Sequence, residues 1–494
     1  MGRYATCLTQ PDSAGAAPDL LVCGLNRSGR LVSRKASFHL RHIMTASPAL
    51  IVVLAAGKGT RMKSALPKVL HKVAGRSMLG HVLDLAVASK AGKVAVVVGP
   101  DMAKVETEAL AILPGCETFL QRNQRGTADA VLAARPAIER NTGDVIVLYA
   151  DTPLIRPETI ARIRAALDHG ANVAVLGFRP LDPAGYGRLL TDTHGALLAI
   201  REEKDATDGE RRVNLCNSGV MAFRVPRLAE LLDRIGNHNA KSEYYLTDAV
   251  EIAHADGLKT AVVECGEDEV LGVNARNQLA DAEAIWQRRA RQDFMTKGVT
   301  MIAPESVWLS FDTKIANDVS IEPNVFFGPG VTVESGVEIK SNCHFEGAVI
   351  GANARIGPFA RLRPGARLSA GVHIGNFVEV KNVDMGQGAK ANHLAYLGDG
   401  SVGPQANVGA GTIFCNYDGF NKHRTVIGEG AFIGSNSSLV APVKIGNGAY
   451  IGSGSVITKD VSAGALALER SAQEERPGWA EKFRMLMSKR RAKT

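Results

Sequence analysis

A six-residue period after residue 320 constrains the fold of this chain more than any other feature of its sequence. Aliphatic residues recur at every sixth position in two series, which are Ile350, Ile356, Leu362, Leu368, Ile374 and Val380, then Ile427, Ile433, Leu439, Ile445, Ile451 and Ile457. Glycine often follows them directly, at Gly351, Gly357, Gly375, Gly428, Gly434, Gly446 and Gly452. A prism of short strands has this period, whereas a helix or a flat sheet does not. We therefore predict a parallel β-helix whose coils stack about 4.8 Å apart.

The period is lost between Met385 and Phe420. An irregular stretch inside a regular scaffold is where functional side chains are expected. His393 lies in this stretch, flanked by Lys390, Tyr396 and Asp399. His393 is the best candidate for a base near neutral pH, because the pKa of imidazole lies in that range.

The first half of the chain shows a different pattern, in which short apolar runs alternate with helical segments. The predicted strands are 50–54, 94–98, 118–121, 145–149 and 173–178, and the predicted helices are 78–88, 102–113, 127–138 and 157–167. This alternation predicts a Rossmann-like α/β domain with a mostly parallel sheet. Ligands bind beyond the carboxyl ends of such strands, so we expect a site in the loops after Leu54 and Tyr149.

The chain, at 494 residues, is too long for one ordinary hydrophobic core. We predict an extension (1–47), an α/β domain (48–277), a linker helix (278–297), a β-helix (298–470) and a basic tail (471–494). The first 43 residues carry Arg and Ser and few acids, as organellar transit peptides do. We favour a disordered extension or a start assigned too early, with Met44 as the working initiator, because a strong strand begins soon after it.

Composition narrows the classes of protein and partner. The seven cysteines are widely spaced and form no C-x-x-C pair, so we expect a reducing cytoplasm. No apolar run reaches membrane-spanning length, and we expect no stable membrane insertion. The basic run at 489–493 could be an arm for nucleic acid or membrane, but we favour a solvated, frayed end without a nucleic-acid partner. The net charge of +8 suits an enzyme with phosphorylated substrates.

Small and basic residues follow the first strand of the α/β domain. In Leu54-Ala55-Ala56-Gly57-Lys58-Gly59, backbone N–H groups could close on a phosphate chain, with Lys58, Arg61 and Lys68 to neutralise it. A glycine-rich turn with solvated lysines is the alternative. Asp151 ends the strand 145–149, where it could bind Mg²⁺ or cap the following helix.

These residues resemble those of the sugar-1-phosphate nucleotidyltransferases. From about Met44 the chain is similar to the bifunctional N-acetylglucosamine-1-phosphate uridyltransferase/glucosamine-1-phosphate N-acetyltransferase family over roughly nine-tenths of its length. The matching segments are 54–62, 66–68, 121–127, 149–151, 185–188, 202–207, 217–219, 243–248 and 272–274, with 361–365, 379–381, 388–399 and 407–419 in the second domain. The resemblance implies synthesis of UDP-N-acetylglucosamine, a precursor of peptidoglycan and lipopolysaccharide.

The resemblance also implies roles in uridylyl transfer from UTP to N-acetylglucosamine 1-phosphate. It assigns nucleotide binding to Leu54, Ala55, Gly57, Lys68, Gln121, Gly126, Thr127, Tyr149 and Asp151. It assigns the sugar to Gly187, Glu202, Asn217 and Asn274, and Mg²⁺ to Asp151 and Asn274. Arg61 and Lys68 are the expected catalytic cations, and no protein nucleophile is required because the sugar phosphate is already an anion.

For acetylation of glucosamine 1-phosphate by acetyl-CoA, the resemblance assigns a second set of residues. Arg363 and Lys381 would bind the phosphate, Tyr396 and Asn407 the sugar, and Asn416 and Tyr417 the reacting centre, beside the base His393. The acetyl-CoA positions would be Ala410, Ser435, Ser453 and Arg470, with Ser453 in place of the more usual alanine. The family also implies a left-handed coil and a homotrimer with shared acetylation sites.

Three alternatives stay open at this stage. The chain could be a monofunctional nucleotidyltransferase with a purely structural β-helix, or a sugar-nucleotide sensor that binds UTP without releasing pyrophosphate. Zinc could bind in the second domain, whose histidines include His344, His373, His393 and His423, although no tight spacing supports it.

Overall fold

The computed structural model describes residues 49–225 and 227–492, together with the backbone of Leu21–Leu25 and Leu31–Lys35. The chain forms two units, Met1–Ser47 and Pro48–Thr494. In the first unit the two strands pair antiparallel, a hairpin that the sequence did not predict. The rest of the predicted extension lies outside the described residues.

The α/β domain is built on a nine-stranded sheet. Seven of its strands follow the spatial order Leu197–Arg201, Arg188–Thr191, Cys216–Phe223, Val145–Tyr149, Leu50–Leu54, Lys93–Val98 and Glu117–Leu120. Val173–Phe178 pairs with Cys216–Phe223 and with Thr260–Cys265. Leu50–Leu54 is parallel to both of its neighbours, so the carboxyl ends of these central strands meet at one edge. Cys216–Phe223 runs antiparallel to its neighbours, which the sequence analysis did not predict.

Helices cover both faces of this sheet and bury two separate apolar layers. They are Met78–Ala88, Ala103–Ile112, Thr127–Ala133, Arg135–Glu139, Pro157–Asp168, Asp208–Arg211, Arg227–Arg234 and Asp248–Ala255. The five predicted strands and three of the four predicted helices are confirmed to within two residues at each end. The segment predicted as one helix over 127–138 is two, which meet at Ala134 just before Pro136.

Residues 300–467 form the predicted prism of short parallel strands. One side is a ten-stranded sheet: Thr300–Met301, Ser320–Ile321, Glu338–Ile339, Arg355–Ile356, His373–Asn376, Lys390–His393, Asn407–Val408, Phe432–Ile433, Tyr450–Ile451 and Leu466–Ala467. The other two sides belong to a fourteen-stranded sheet: Lys314–Ile315, Phe326–Phe327, Thr332–Val333, His344–Phe345, Val349–Ile350, Arg361–Leu362, Arg367–Leu368, Glu379–Met385, Tyr396–Val402, Ile413–Cys415, Thr425–Ile427, Ser438–Val440, Val443–Ile445 and Val456–Ile457. The aliphatic residues of the six-residue period point inward and form one continuous core.

The predicted break at Met385–Phe420 is wrong in extent. The coils continue through most of it, because Met385, Ala391, Leu397, Val402, Val408 and Phe414 all stay buried in the core. Two sides have five residues instead of six, so the six-residue spacing of the core residues shifts. The strands of these coils nevertheless stay paired in parallel with their neighbours. The chain leaves the prism only at residues 416–424, named here the insertion loop, where the next core residue after Phe414 is Ile427.

The two domains are joined by the helix Arg276–Thr296, called here the linker helix. Its Ala282 packs with Val73 and Leu154 of the α/β domain, while Trp286, Ala290 and Phe294 lie against the core of the prism. The helix therefore contacts both domains along its length.

The C-terminal end differs from the frayed tail that we favoured. Trp479–Arg491 is an α-helix, and the rings of Trp479 and Phe483 stack with centroids 5.0 Å apart. The basic residues Lys489, Arg490 and Arg491 form the last turn of this helix, after the two rings, and the helix is exposed along its length.

Candidate active sites

A cavity of about 300 Å³ opens at the carboxyl edge of the central parallel strands, as the sequence predicted. Its lining is formed by Leu54, Ala55, Ala56, Gly57, Lys58, Lys68, Val69, Gln121, Gln124, Gly126, Thr127, Ala130, Tyr149, Asp151 and Glu243. All nine residues that the resemblance assigns to the nucleotide are among them. Gln124 and Glu243 were not predicted as site residues, although both belong to segments that the resemblance matches.

The loop from Gly57 to His71, called here the nucleotide loop, closes one wall of this cavity. It contains two short 3₁₀ helices, Thr60–Met62 and Lys68–Leu70. Gly59 has a φ of 63°, and a Cβ there would lie 2.4 Å from Cβ of Lys68. Because no side chain fits in that space, glycine is required for the loop to fold back and bring Lys68 into the cavity.

Lys68 lies between two oxygen ligands at the end of the strand Val145–Tyr149. Its ammonium donates to a carboxylate oxygen of Asp151, and it also donates to Oδ1 of Asn274 over 3.0 Å. Asn274 reaches this position because the Val273 N–H donates to the Asp151 carbonyl over 2.9 Å. The two oxygens therefore face the same ammonium group, and both are hard donors of the kind that Mg²⁺ prefers.

The opposite wall carries groups suited to a base and a ribose. Gln121 is buried, and its Nε2 donates to the Gly126 carbonyl over 3.0 Å and to Asp129 over 2.9 Å. Gly126 has a φ of 127°, and a Cβ there would lie 2.4 Å from the Tyr244 carbonyl oxygen. The backbone can therefore approach closely on this side of the cavity.

Tyr149 connects the nucleotide cavity to the predicted sugar residues. Burial, with Glu202 and Asp151 as the neighbouring charges, raises the pKa of its phenol far above the ordinary value, so the hydroxyl stays protonated. Gly187 is buried beside the Glu202 carboxylate, and its carbonyl accepts from the Asn217 N–H over 2.8 Å. The structure therefore brings Gly187, Glu202 and Asn217 together.

The carboxylate of Glu202 lies in an acidic, half-buried surrounding. Burial is the largest cause that raises its pKa, and Asp205 and Glu243 raise it further, while Lys241 opposes them. Asp248, on the following helix, has its pKa raised to about 6, mainly by burial and next by Glu251. These groups favour a neutral hydroxyl-rich ligand over another anion at this end of the site.

Arg61, one of the two predicted catalytic cations of the α/β domain, does not line the nucleotide cavity. It lies in the 3₁₀ helix Thr60–Met62 with an exposed side chain. Lys58 lines the cavity instead and supplies a second cation.

The predicted acetylation residues occupy one side and one corner of the prism. Arg361, Glu379 and Tyr396 follow one another in register on one side, one coil apart. Lys381 lies two residues after Glu379 in the same strand, and Arg363 directly follows the strand Arg361–Leu362. Arg363 donates to Glu379 over 2.7 Å. Asn407 lies in the ten-stranded sheet beside Lys390, so within one chain it belongs to a different side of the prism.

Asp399 organises the end of this side. Its carboxylate is 6% exposed and accepts from Nδ2 of Asn382 over 2.8 Å and from Nδ2 of Asn416 over 2.5 Å. Lys381 donates to it over 3.4 Å. Burial would raise the pKa of Asp399, but these hydrogen bonds and the Lys381 charge outweigh it and lower the pKa. The carboxylate thereby holds the predicted phosphate ligand Lys381 and the insertion-loop residue Asn416 in one cluster.

Lys422 in the insertion loop is a site residue that the sequence analysis missed. Its side-chain nitrogen lies beside that of Lys381, and this contact lowers the pKa of Lys422. Lys381 and Lys422 bring two cations together beside the single carboxylate of Asp399, and this excess of positive charge favours an anionic ligand such as a phosphate. A basic residue shortly after Asn416–Tyr417 was the available signal, but only folding of the loop brings it next to Lys381.

The predicted base and the predicted acetyl-CoA residues form a single column along one corner. The His393 carbonyl accepts from Gly411 N over 3.3 Å, Ala410 from Asn436 N over 2.7 Å and Ser435 from Gly454 N over 2.8 Å. The Ser453 carbonyl accepts from Arg470 over 3.0 Å. His393, Ala410, Ser435 and Ser453, named here the corner column, therefore occur once in each successive coil, about 4.8 Å apart.

His393 is exposed, and Nδ1 of its ring lies 2.7 Å from Oδ1 of Asn376 one coil below. Because the amide oxygen of Asn376 can only accept a hydrogen bond, Nδ1 carries the ring proton and donates a hydrogen bond to it. In a neutral ring Nε2 then keeps its lone pair. The geometry therefore gives His393 the tautomer that a general base needs.

The histidines of the prism are engaged separately. His344 stacks on Phe326 with centroids 4.8 Å apart, and His423 lies 2.7 Å from the Asp418 carboxylate within the insertion loop. Within residues 49–225 and 227–492, no group of three or more His, Cys, Asp or Glu side chains is arranged to hold a metal ion. None of the helices in the described part of the chain is long and apolar enough to span a membrane.

Comparison with known proteins agrees with both halves of this description. The profile of the MobA-like NTP transferase domain matches residues 51–213. Two hexapeptide profiles match the prism, that of bacterial transferase hexapeptides at 424–459 and that of succinyl-transferase hexapeptide repeats at 318–347. The predicted fold class is confirmed: an α/β nucleotidyltransferase domain is followed by a left-handed parallel β-helix of hexapeptide repeats.

Full-length relatives extend the match over both domains. The bifunctional protein GlmU of Azorhizobium caulinodans is 61% identical over 446 residues, which are 90% of this chain and 99% of the relative. GlmU of Bradyrhizobium sp. is 57% identical over 89% of this chain and 98% of its own length. GlmU of Agrobacterium fabrum is 56% identical over 88% of this chain and 96% of its own length.

Proposed function

The chain belongs to the family of the bifunctional protein GlmU, and from that premise we propose how its two sites divide their work. The protein is a bifunctional enzyme of UDP-N-acetylglucosamine synthesis, with an acetyltransferase and a uridyltransferase domain. The product supplies peptidoglycan and lipopolysaccharide precursors. The observation that carries our assignment is that the two cation clusters, one at Lys68 and one at Lys381, lie in different domains and share no residue.

For uridylyl transfer we assign the cavity beside the nucleotide loop. A phosphate oxygen of N-acetylglucosamine 1-phosphate attacks the α-phosphorus of UTP, and the bond from that phosphorus to the pyrophosphate leaving group breaks. No proton has to move, because nucleophile and leaving group are both anions. Lys58 and Lys68 neutralise the phosphate chain, while the wall formed by Gln121, Gly126 and Thr127 receives the uridine.

We assign the sugar to the neighbouring acidic pocket of Gly187, Glu202 and Asn217. The Glu202 carboxylate can accept hydrogen bonds from the sugar hydroxyls. Its acidic neighbours would repel a phosphate, so the phosphate of the sugar lies at the other end of the site. We assign Asn274 to the sugar as well, at the phosphate end where it contacts Lys68. We retain Arg61 as a catalytic cation of the nucleotide loop, with an exposed side chain.

Mg²⁺ is the metal that we propose for this site. The donor set fits, because a carboxylate oxygen of Asp151 and the amide oxygen of Asn274 are hard ligands that already face one cation, the Lys68 ammonium. When bound, Mg²⁺ supplies further charge neutralisation for the phosphates.

For acetylation we assign the corner column and the adjoining side of the prism. His393 Nε2 takes a proton from the amine of glucosamine 1-phosphate as the nitrogen attacks the thioester carbonyl of acetyl-CoA. A carbon–nitrogen bond forms, the carbon–sulfur bond breaks, and the thiol of CoA leaves with a proton. Arg363, Lys381 and Lys422 bind the phosphate, Tyr396 and Asn407 the sugar, and Asn416 and Tyr417 the reacting centre.

Acetyl-CoA is proposed to lie along the corner column. Ala410, Ser435 and Ser453 succeed one another above His393, so an extended pantetheine arm can follow the corner with its thioester near the base. Arg470, which is tied to the Ser453 carbonyl, lies at the far end where the charged part of the cofactor would be.

A homotrimer is the assembly that we propose. Phe359, Phe377 and Leu394 form a corner with φ near 55° and exposures of 47%, 54% and 61%, directly beside His393. A second copy of the chain would cover these apolar side chains and bring its own substrate residues to the corner.

The domain boundaries 48–277, 278–297, 298–470 and 471–494 stay part of this proposal. The cytoplasm remains our proposed compartment, since Cys116, Cys216, Cys265, Cys343 and Cys415 are free thiols.

Product analysis by mass spectrometry tests the proposal. With glucosamine 1-phosphate, acetyl-CoA, UTP and Mg²⁺, we expect N-acetylglucosamine 1-phosphate first and UDP-N-acetylglucosamine second, together with free thiol and pyrophosphate. Parallel reactions with the galacto sugars test the assigned sugar identity. A protein that released pyrophosphate from preformed N-acetylglucosamine 1-phosphate but no thiol from acetyl-CoA would be a monofunctional uridyltransferase with a structural β-helix.

A further inference from the structure

Three elements meet at one backbone turn on the side of the nucleotide loop away from the cavity. The strands Lys72–Val73 and Arg76–Ser77 form a hairpin whose turn residues Ala74 and Gly75 have φ of 49° and 81°. The turn touches the linker helix and the first coils of the prism.

Glu283 on the linker helix is the centre of the contact. Its Oε2 accepts from the Ala74 N–H over 2.6 Å, and its Oε1 accepts from Nε2 of Gln287 over 2.8 Å. Each carboxylate oxygen thus receives one donor. A carboxamide of the same shape could accept only one of the two, because its NH₂ group would face another donor.

Gln287 ties this carboxylate to the prism. It is 1% exposed, and its Nε2 also donates to the Leu309 carbonyl over 2.7 Å while its Oε1 accepts from the Leu309 N–H over 2.9 Å. The two residues that follow Leu309 bind the Ala74 carbonyl. The Phe311 N–H donates to it over 2.9 Å, and the Ser310 hydroxyl donates to it over 3.1 Å. Both backbone polar groups of Ala74 are therefore fixed by other parts of the chain.

The hairpin is directly continuous with the residues that hold Lys68. At its neck the Met78 N–H donates to the His71 carbonyl over 2.9 Å, and the His71 N–H donates to the Lys68 carbonyl over 3.2 Å. A displacement of the turn is thus transmitted through five residues and two hydrogen bonds to the Lys68 backbone. Among the residues that the structure describes, 49–225 and 227–492, no hydrogen bond links the hairpin to Gln121 or Gly126 of the uridine wall.

We propose that Glu283 is a positioning residue for uridylyl transfer: with Gln287 it fixes the Ala74 turn against the linker helix and so places the Lys68 ammonium on the reacting phosphate. This inference rests on the proposed uridyltransferase function. Positioning affects the transition state more than binding of the uridine, because Lys68 lies at the phosphate end of the cavity.

Steady-state kinetics of the full-length Glu283→Gln variant test this role. We expect kcat for uridylyl transfer to fall about 10- to 100-fold, the range typical for loss of a supporting partner, while KM for UTP changes less than about threefold. Acetyl transfer by the same preparation should stay at the wild-type rate. Gln287→Met, which leaves the bond from Ala74 N–H to Glu283 intact, should lower kcat less than Glu283→Gln does.

Asp281→Asn is the matched control, because it makes the same chemical change on an exposed position of the linker helix. It should leave both activities unchanged. A wild-type kcat in Glu283→Gln would overturn the positioning role, and so would a parallel loss of both activities, which indicates general destabilisation. If neither the wild type nor Asp281→Asn released pyrophosphate, the proposed function itself would fail instead.

Discussion

The nucleotide cavity and the corner column differ in shape and in the exposure of their functional side chains. The cavity is concave and enclosed by one chain, with Gln121 buried and Lys68 already paired with Asp151. The corner column lies on a convex edge, where His393 is exposed and the apolar side chains of Phe377 and Leu394 face outward. In our proposal the first site therefore needs only one copy of the chain, whereas the second is covered by another copy.

This difference follows from the two architectures. A parallel α/β sheet gathers its loops at one edge, so groups distant in sequence, such as Lys68 and Asn274, converge on one point. A prism repeats the same three sides, so equivalent side chains form straight columns along its surface. A β-helix therefore gains an enclosed site by adding an insertion loop, by assembling with other copies, or by both.

The largest expected effect concerns the base on the exposed edge. In His393→Ala, loss of general base catalysis should lower kcat for acetylation about 10²- to 10⁴-fold, while uridylyl transfer stays within about twofold. Thiol release and pyrophosphate release, measured on the same preparation, check this expectation. An acetylation rate near that of the wild type would show that another group takes the proton.

The second prediction concerns the cover of the corner. Phe377→Glu places a charge among exposed apolar side chains next to His393, so it should disfavour assembly and lower acetylation about 10-fold or more without affecting uridylyl transfer. Light scattering after size-exclusion chromatography should give a smaller mass than for the wild type. Acetylation that survives in a monomeric variant would mean that one copy suffices at both sites.

The third prediction concerns the residue that the insertion loop contributes. Lys422→Met removes one of two adjacent cations, so KM for glucosamine 1-phosphate should rise about 10-fold, with a smaller change in kcat. KM for acetyl-CoA, measured in the same series, serves as the internal reference. A change confined to acetyl-CoA would place Lys422 at the cofactor instead of the sugar phosphate.

The smallest effect is on stability. The pKa of Asp399 is lower in the folded protein than its ordinary value, so its ionised form stabilises the fold above that value, and the stabilisation is lost as the pH falls through the folded pKa, below about pH 4. The difference in melting temperature between the wild type and Asp399→Asn should therefore shrink between pH 5 and pH 3. Asp384→Asn, an exposed carboxylate in the same prism, should show little pH-dependent difference.

Much of the fold could be predicted because its periods are local. The six-residue spacing predicts the prism, and the apolar runs at 50–54 and 145–149 predict the strands that place Gly57 and Asp151 at one edge. The sequence did not predict that the coils continue through Met385–Phe414. Two five-residue sides interrupt the six-residue spacing of the core residues, but they do not interrupt the parallel pairing of the strands. Pairing between coils is not visible in a one-dimensional pattern.

The sites were predictable only where one residue type is decisive. His393 and Asp151 could be selected by their chemistry and position, whereas Lys422 and Glu283 act through neighbours that folding supplies from Lys381 and Ala74. The C-terminal helix was missed for a related reason, since Trp479 and Phe483 meet only when the chain is helical.

Complementation between two inactive variants tests the independence of the two sites most directly. Asp151→Asn should acetylate glucosamine 1-phosphate without forming a nucleotide sugar, and His393→Ala should do the reverse. Given glucosamine 1-phosphate, acetyl-CoA and UTP, neither variant alone should make UDP-N-acetylglucosamine, but an equimolar mixture should, because the acetylated intermediate diffuses from one protein to the other. Loss of both half-reactions in either variant, or a mixture that stays inactive although each half-reaction is intact, would contradict two separate sites in one chain.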